Sequence, residues 1–384
     1  MDDTTRTTPR PAPAWATQAG LALLTLLLAG GLLLGAWHAF RFARHSAQAL
    51  ALPYALDGLE GTLLHEAWLL RAGEPLYQPL QADRFVSSPY PPLHYALLAL
   101  VAPPDGAPHV FYAGRLVSLA ATLLVAVALA VAAFWLGRSL PVAALAATLW
   151  LAFPPTQLWA TRIKPDPLAL ALTALGLLAA IRWRMQAADG RPPTADRRSR
   201  AATLVRAHAW LLAAAALFAL AFFTKQTAVA APLATGLALL LDALIAWRAR
   251  RASPLDALRP ALLFALAYGA LIGLGWLALE LGTRGQYTFH VWGLHRSEWW
   301  SAGLLAKFVA LLAPSWPLML AGAVLLVYAL ASRASAHPPL RLPACYLLVA
   351  PVTLLGAGET GANHNHLLEA QLALTLGGCA FASA

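Results

Sequence analysis

The sequence predicts an all-α protein, a polytopic transmembrane helical bundle of about ten spans with a large first extracytoplasmic loop carrying interfacial helices. Over 384 residues the composition is 60% hydrophobic and 11% charged, against roughly 25% charged in soluble domains. Apolar runs of about 20 residues, the length that crosses a bilayer, recur from Gly20 to the last residue. Most arginines fall in short stretches between those runs, where basic residues hold loops on the cytoplasmic side. The pattern excludes a soluble enzyme with a single anchor and predicts one membrane domain over 1–384.

The chain opens with a Thr/Pro-rich polar stretch to residue 19, expected in the cytoplasm, and an apolar run over 20–40. A cleaved signal has a short basic leader and a shorter apolar core, so this run reads as a retained first span. Further spans are expected at 113–136, 141–158, 166–183, 208–224, 227–247, 260–281, 302–331, 343–356 and 367–384. The apolar piece Leu93–Ala102 is too short to cross and reads as interfacial or re-entrant. Pro314 and Pro317 interrupt 302–331, where they kink or split a helix. The chain stops inside an apolar run, which suggests a truncated C-terminus.

With these spans, the loops around Arg138, Arg182–Arg206, Arg248–Arg259 and Arg333–Arg341 share one face, which is cytoplasmic by its basic content. The net charge of +10 is therefore topological, with membrane lipids rather than nucleic acid as partner. Cys345 and Cys379 lie in apolar runs without metal-ligand spacing and read as apolar fillers. The opposite face receives 41–92, the hairpins 159–165 and 224–226, 282–301 and 357–366, and with them most of the polar residues.

In the first loop Leu59, Leu63, Ala67 and Leu70 recur at helical spacing, and Gly73 with Pro75 supplies a stop. An amphipathic helix on the membrane surface is expected there. Asp57 and Glu60, three apart at its start, resemble a capping box; alternatively one of these carboxylates is a general base toward an acceptor. In SSPYPPLHYALL the prolines suit a helix entry and Tyr90 and Tyr95 the headgroup level. Arg115 opens the next span, where it either snorkels or binds phosphate.

Lysine occurs only at Lys164, Lys225 and Lys307, and the first two occupy tight outer hairpins, TRIKPD with Asp166 and FFTKQT with Gln226. Ionisable residues at a membrane boundary are functional candidates by default, although a lysine there can simply snorkel. Lys225 is the first choice to stabilise a departing phosphate, and Arg296, in an aromatic-rich segment with His290 and His295, is a minor one. The late glycine-rich loop gathers Glu359, Asn363, His364, Asn365 and His366, with Glu369 one turn on. A His and Glu three apart can ligate metal, but no second half of a site is visible. Hydrogen bonds to a sugar or pyrophosphate fit Asn363, His366 and Glu369 better, and no metal site is assigned.

The order of these motifs, an Asp and Glu in a large first outer loop, YPPL, GRLVSL, KPDPLAL, TKQTA and NHLLE, resembles the GT-C fold glycosyltransferases, including the protein mannosyltransferase and aminoarabinose transferase relatives. The resemblance implies inverting transfer of a sugar from a polyprenyl-phosphate donor to an acceptor hydroxyl or amine, on a lipid or glycan, at the outer side of the bacterial inner membrane. It makes Asp57 the base, with Glu60 supporting it or orienting the acceptor, and assigns Lys164, Asp166 and Lys225 to the donor's phosphate and sugar. No cofactor is required, and a divalent cation is left open. Competing readings are a transporter or flippase for a lipid-linked substrate, which would place polar features near mid-membrane, and a non-catalytic assembly subunit, which would need no clustered acid and lysines.

Overall fold

The computed structural model describes residues 14–82, 84–105, 107, 109–188, 200–294, 338–358 and 363–382. All regular structure among them is helical. Among the described residues, six helices are long and apolar enough to cross a membrane. The expected span 302–331, Arg296, His295 and Glu359 lie outside the described residues.

Helix α1, Ala14–Leu50, continues well past Phe40, so the first loop begins near residue 51 rather than 41. At 37 residues it is about 55 Å long, more than the roughly 30 Å hydrocarbon layer requires. The loop folds into α2, Glu60–Arg71, and α3, Pro92–Val101. Gly73, at φ +82°, ends α2 by letting its own N–H reach the Leu70 carbonyl and that of Glu74 reach Leu69, a Schellman closure. The capping box is not formed. The N-cap residue is Leu59, without a side-chain cap, and Glu60 reaches the Leu56 N–H instead.

Helix α4, Tyr112–Gly137, is followed by α5, Leu140–Ala152, and α6, Pro154–Trp159. The expected single span 141–158 is broken at Phe153, whose ψ of 131° is extended, because the following proline disfavours helical geometry in the residue before it. Then come α7, Pro165–Ala188, α8, Arg200–Thr224, α9, Ala230–Arg248, and α10, Pro254–Gly282. A short α11, Gln286–Thr288, runs into π-helical turns over Phe289–Gly293. Helix α12, Pro338–Val349, continues as 3-10 turns over Ala350–Gly358, and a 3-10 turn at His364–Leu367 leads into α13, Leu368–Ala382.

The mid-bundle core joins α4, α5, α7, α8, α9, α12 and α13 through Trp150, Leu177, Ile181, Phe218, Tyr346 and Leu372, interleaved with many alanines. Small residues let helix backbones approach where lipid supplies no hydrophobic drive. A Cβ at Gly176 would lie 2.5 Å from the Phe218 ring. Helices α1 and α10 are largely unburied by protein, as lipid-facing helices are.

A second core belongs to the first loop. Leu63, Leu64, Ala67, Tyr77, Tyr95 and Leu98 pack with Ile163, Tyr287 and Val291, so α2 and α3 form a folded cap on one end of the bundle rather than a helix lying free on a surface. Opposite this cap end is the arginine end, where Arg184 and Arg341 both pair with Asp242, tying α7, α9 and α12 together. The cap end gathers the N-termini of α4, α7, α9 and α13 and the C-termini of α6, α8 and α10.

Candidate active site at the cap end

The best-satisfied charged pair of the cap end is Arg115 with Glu60, both with side chains 0% exposed. Arg115 Nε and Nη2 donate to the two Glu60 oxygens at 3.2 and 2.9 Å. Its remaining donors reach the carbonyls of Ala49, Leu52 and Tyr54 at 2.9, 2.7 and 2.6 Å, closing the end of α1. Glu60 also accepts from the Leu56 and Ile163 N–H groups at 2.6 and 2.9 Å. Both groups are saturated. Arg115 spends its donors, and Glu60 its oxygens, on partners within the protein. Through Ile163, Glu60 positions the turn that carries Arg162 and Lys164. Gly114 makes room for that turn, since a Cβ there would meet Ile163 Cδ1 at 2.7 Å.

Asp57 stands just before α2 and meets that turn. Its carboxylate accepts from Lys164 Nζ at 2.7 Å, faces Arg162 Nη1 at 3.4 Å and accepts from the Leu59 N–H at 3.0 Å. Partial burial opposes its ionisation, but the bonds from Lys164 and Leu59 and the charges of Lys164 and Arg162 prevail and hold the carboxyl below its ordinary value. Arg162 and Lys164 both lie over the Trp159 ring, at 5.1 and 5.7 Å from its centroid.

A second ion pair lies one residue beyond Pro165. Asp166, in the first turn of α7, pairs with Lys225 at the end of α8 and accepts from Asn365 Nδ2 at 3.0 Å. These residues line a cavity of about 30 Å³ with Thr173, Thr227, His366 and Glu369, room for a water or two. Glu369 is contacted by the Tyr346 hydroxyl at 3.4 Å. Asp166 and Lys225 meet His366 and Glu369, from the other end of the chain, around this cavity, whereas Lys164 pairs with Asp57.

Two further candidates join neither ion pair. Gln226 spends its amide on the carbonyls of Pro89 and Val291, at 3.2 Å each, and fastens the cap to the bundle. Asn363 is exposed and caps the 3-10 turn through the His364 N–H at 2.8 Å.

Several buried polar atoms at this end have no hydrogen-bond partner, among them both ring nitrogens of His94, Trp159 Nε1, Thr156 Oγ1, Asp166 Oδ2 and Gln226 Oε1. Buried polar groups are normally paired, so these atoms keep hydrogen-bonding capacity that the protein itself does not use. His94, Trp159, Thr156 and Arg162 are additions to the residues singled out from sequence, and Asn365 is the late-loop amide that reaches Asp166. Trp159 and Arg162 border TRIKPD and Asn365 lies in the late loop, whereas His94 carries no mark beyond being a histidine in an apolar piece. Among the described residues no group of three or more His, Cys, Asp or Glu is arranged to hold a metal ion.

No protein-family model matches the chain, and no curated protein matches it in sequence. Two solved structures match its fold. ArnT from Cupriavidus metallidurans bound to undecaprenyl phosphate superposes with a TM-score of 0.57 at 16% identity, over 90% of this chain and 60% of that one. The same protein in the apo state gives 0.56 at 16% identity, over 92% and 60%. The chain shares the polytopic helical membrane fold of these structures and spans about 60% of their length.

Proposed function

We propose that the chain transfers a sugar from a polyprenyl-phosphate donor to an acceptor hydroxyl or amine at the cap end, facing the non-cytoplasmic side of the bacterial inner membrane. The observation that carries this reading is the pair of ion pairs, Asp57 with Lys164 and Asp166 with Lys225, set on either side of Pro165 in a fold shared with a protein solved with undecaprenyl phosphate bound. The polar groups collect at the ends of the helices while the mid-bundle core is apolar, which favours a terminal reaction site over a mid-membrane transport path.

The acceptor oxygen or nitrogen attacks the anomeric carbon of the donor sugar, the bond from that carbon to the phosphate oxygen breaks, and the phosphate departs with the electron pair. Asp57 takes the acceptor proton. A single displacement inverts the anomeric centre. Lys225 and Lys164 supply positive charge where the phosphate develops negative charge. The same cations explain how a carboxylate held below its ordinary pKa serves as base. Lys164 hydrogen-bonds Asp57, and drawing it toward a bound phosphate removes much of what keeps Asp57 acidic. Donor binding then strengthens the base. The deciding experiment is sugar transfer by the Asp57→Asn variant in membranes supplied with a polyprenyl-phosphate sugar.

A further inference from the structure

His94 is the third residue of α3 and is 0% exposed. The start of α3 is held rigidly: Gln226 bonds the Pro89 carbonyl, the Tyr77 hydroxyl donates to the Tyr90 carbonyl at 2.7 Å, and Tyr95 and Leu98 are fully buried in the cap core. Yet neither His94 ring nitrogen has a partner. Asp166 and Lys164, one from each ion pair, are the charged groups near enough to act on the ring. Burial drives its pKa down to about 4, and the ring is neutral at physiological pH.

A neutral imidazole offers one donor and one acceptor. Phosphate offers acceptors only and is matched by the ammonium groups of Lys164 and Lys225 already present. A sugar hydroxyl both donates and accepts, and is the complement of an uncharged imidazole. We propose that His94 is a substrate-contacting residue that hydrogen-bonds a hydroxyl of the glycosyl group being transferred, not the phosphate that carries it. The assignment rests on the glycosyltransferase reading and adds a specificity contact to it.

The test is binding to the purified, detergent-solubilised protein, with undecaprenyl phosphate compared against undecaprenyl-phosphoryl glucose, mannose and arabinose. The wild type binds at least one glycosylated lipid more tightly than the bare lipid. His94→Phe, which keeps a buried ring without hydrogen bonds, loses that difference, about tenfold in Kd, and binds the bare lipid as the wild type does. His94→Gln, which retains a donor and an acceptor, recovers most of it. Unchanged bare-lipid binding is also the control that the variants are folded. The proposal is overturned if His94→Phe weakens bare and glycosylated lipids alike, if it weakens neither, or if the wild type does not distinguish them. Failure of the wild type to bind any of the lipids is a separate result, which removes the glycosyltransferase reading and this contact with it.

Discussion

The Arg115 guanidinium forks onto the Glu60 carboxylate at 2.9 and 3.2 Å, with both side chains wholly buried and the other two Glu60 bonds accepted from Leu56 before α2 and from the Ile163 turn. Removing one partner of such a pair strands the other charge, at a cost of about 3–5 kcal/mol. Arg115→Ala and Glu60→Ala are each expected to lower the unfolding midpoint of the solubilised protein strongly. The double variant Arg115→Met/Glu60→Leu costs less than the sum of the single losses. Additive losses in thermal unfolding would contradict the pairing.

Asp57 gives a pH prediction. Its folded pKa lies below the unfolded value of 3.8, so its contribution to stability is present above that value and is lost only as pH falls through the lower folded one. In catalysis the same shift keeps the base ionised. Lys164→Met removes a hydrogen bond and a charge that lower the pKa and leaves burial, which raises it. The acid limb of kcat/KM therefore moves to higher pH in Lys164→Met. An unmoved limb would disconnect Lys164 from Asp57.

Glu66 behaves oppositely. It is buried in α2, accepts from Ser87 Oγ at 3.1 Å and the Ser88 N–H at 2.7 Å, and has its other oxygen unpaired. Burial outweighs those bonds and raises its pKa above 4.5. The stability this contributes is complete below the unfolded pKa and is lost as pH rises through the raised folded value. Glu66→Gln keeps an acceptor and removes the buried charge, so it is expected to raise Tm at pH 8 by about 2 °C and to flatten the pH dependence. A lower Tm at pH 8 would show that the ionised form is stabilised.

Sidedness has its own measurement. Single cysteines replacing Gly58 and Asn363, both exposed at the cap end, are expected to react with an impermeant maleimide from outside intact spheroplasts, and one replacing exposed Arg250 only after lysis. The native Cys345 and Cys379 are buried and give a low background. Labelling of Arg250→Cys alone from outside would invert the topology.

Much of this arrangement is legible in the sequence because membranes impose it. Apolar run length and arginine placement mark α4, α7, α8, α9 and α10, and lysines in hairpins too tight for a loop mark Lys164 and Lys225 as residues at one end of the bundle. What the sequence leaves open is pairing. Glu60 and Arg115 are 55 residues apart and Asp166 and Asn365 are 199 apart. No local period connects them. In sequence Glu60 is as available as Asp57, and only the fold brings it four donors; Arg115 opens a span as a snorkelling or phosphate-binding residue would, and only the fold turns it onto the end of α1. His94 was hidden for the opposite reason, because a histidine inside an apolar helix reveals a role only through what fails to touch it.

The central claim, that the cap end performs sugar transfer with Asp57 as base, is tested most directly by the Asp57→Asn variant. Membranes containing the wild type or the variant are supplied with a polyprenyl-phosphate sugar and acceptor, and the glycosylated acceptor is quantified. The account predicts a loss of transfer on the order of a thousandfold in Asp57→Asn, with protein level and affinity for undecaprenyl phosphate retained. Transfer at the wild-type rate by a folded Asp57→Asn protein would contradict it.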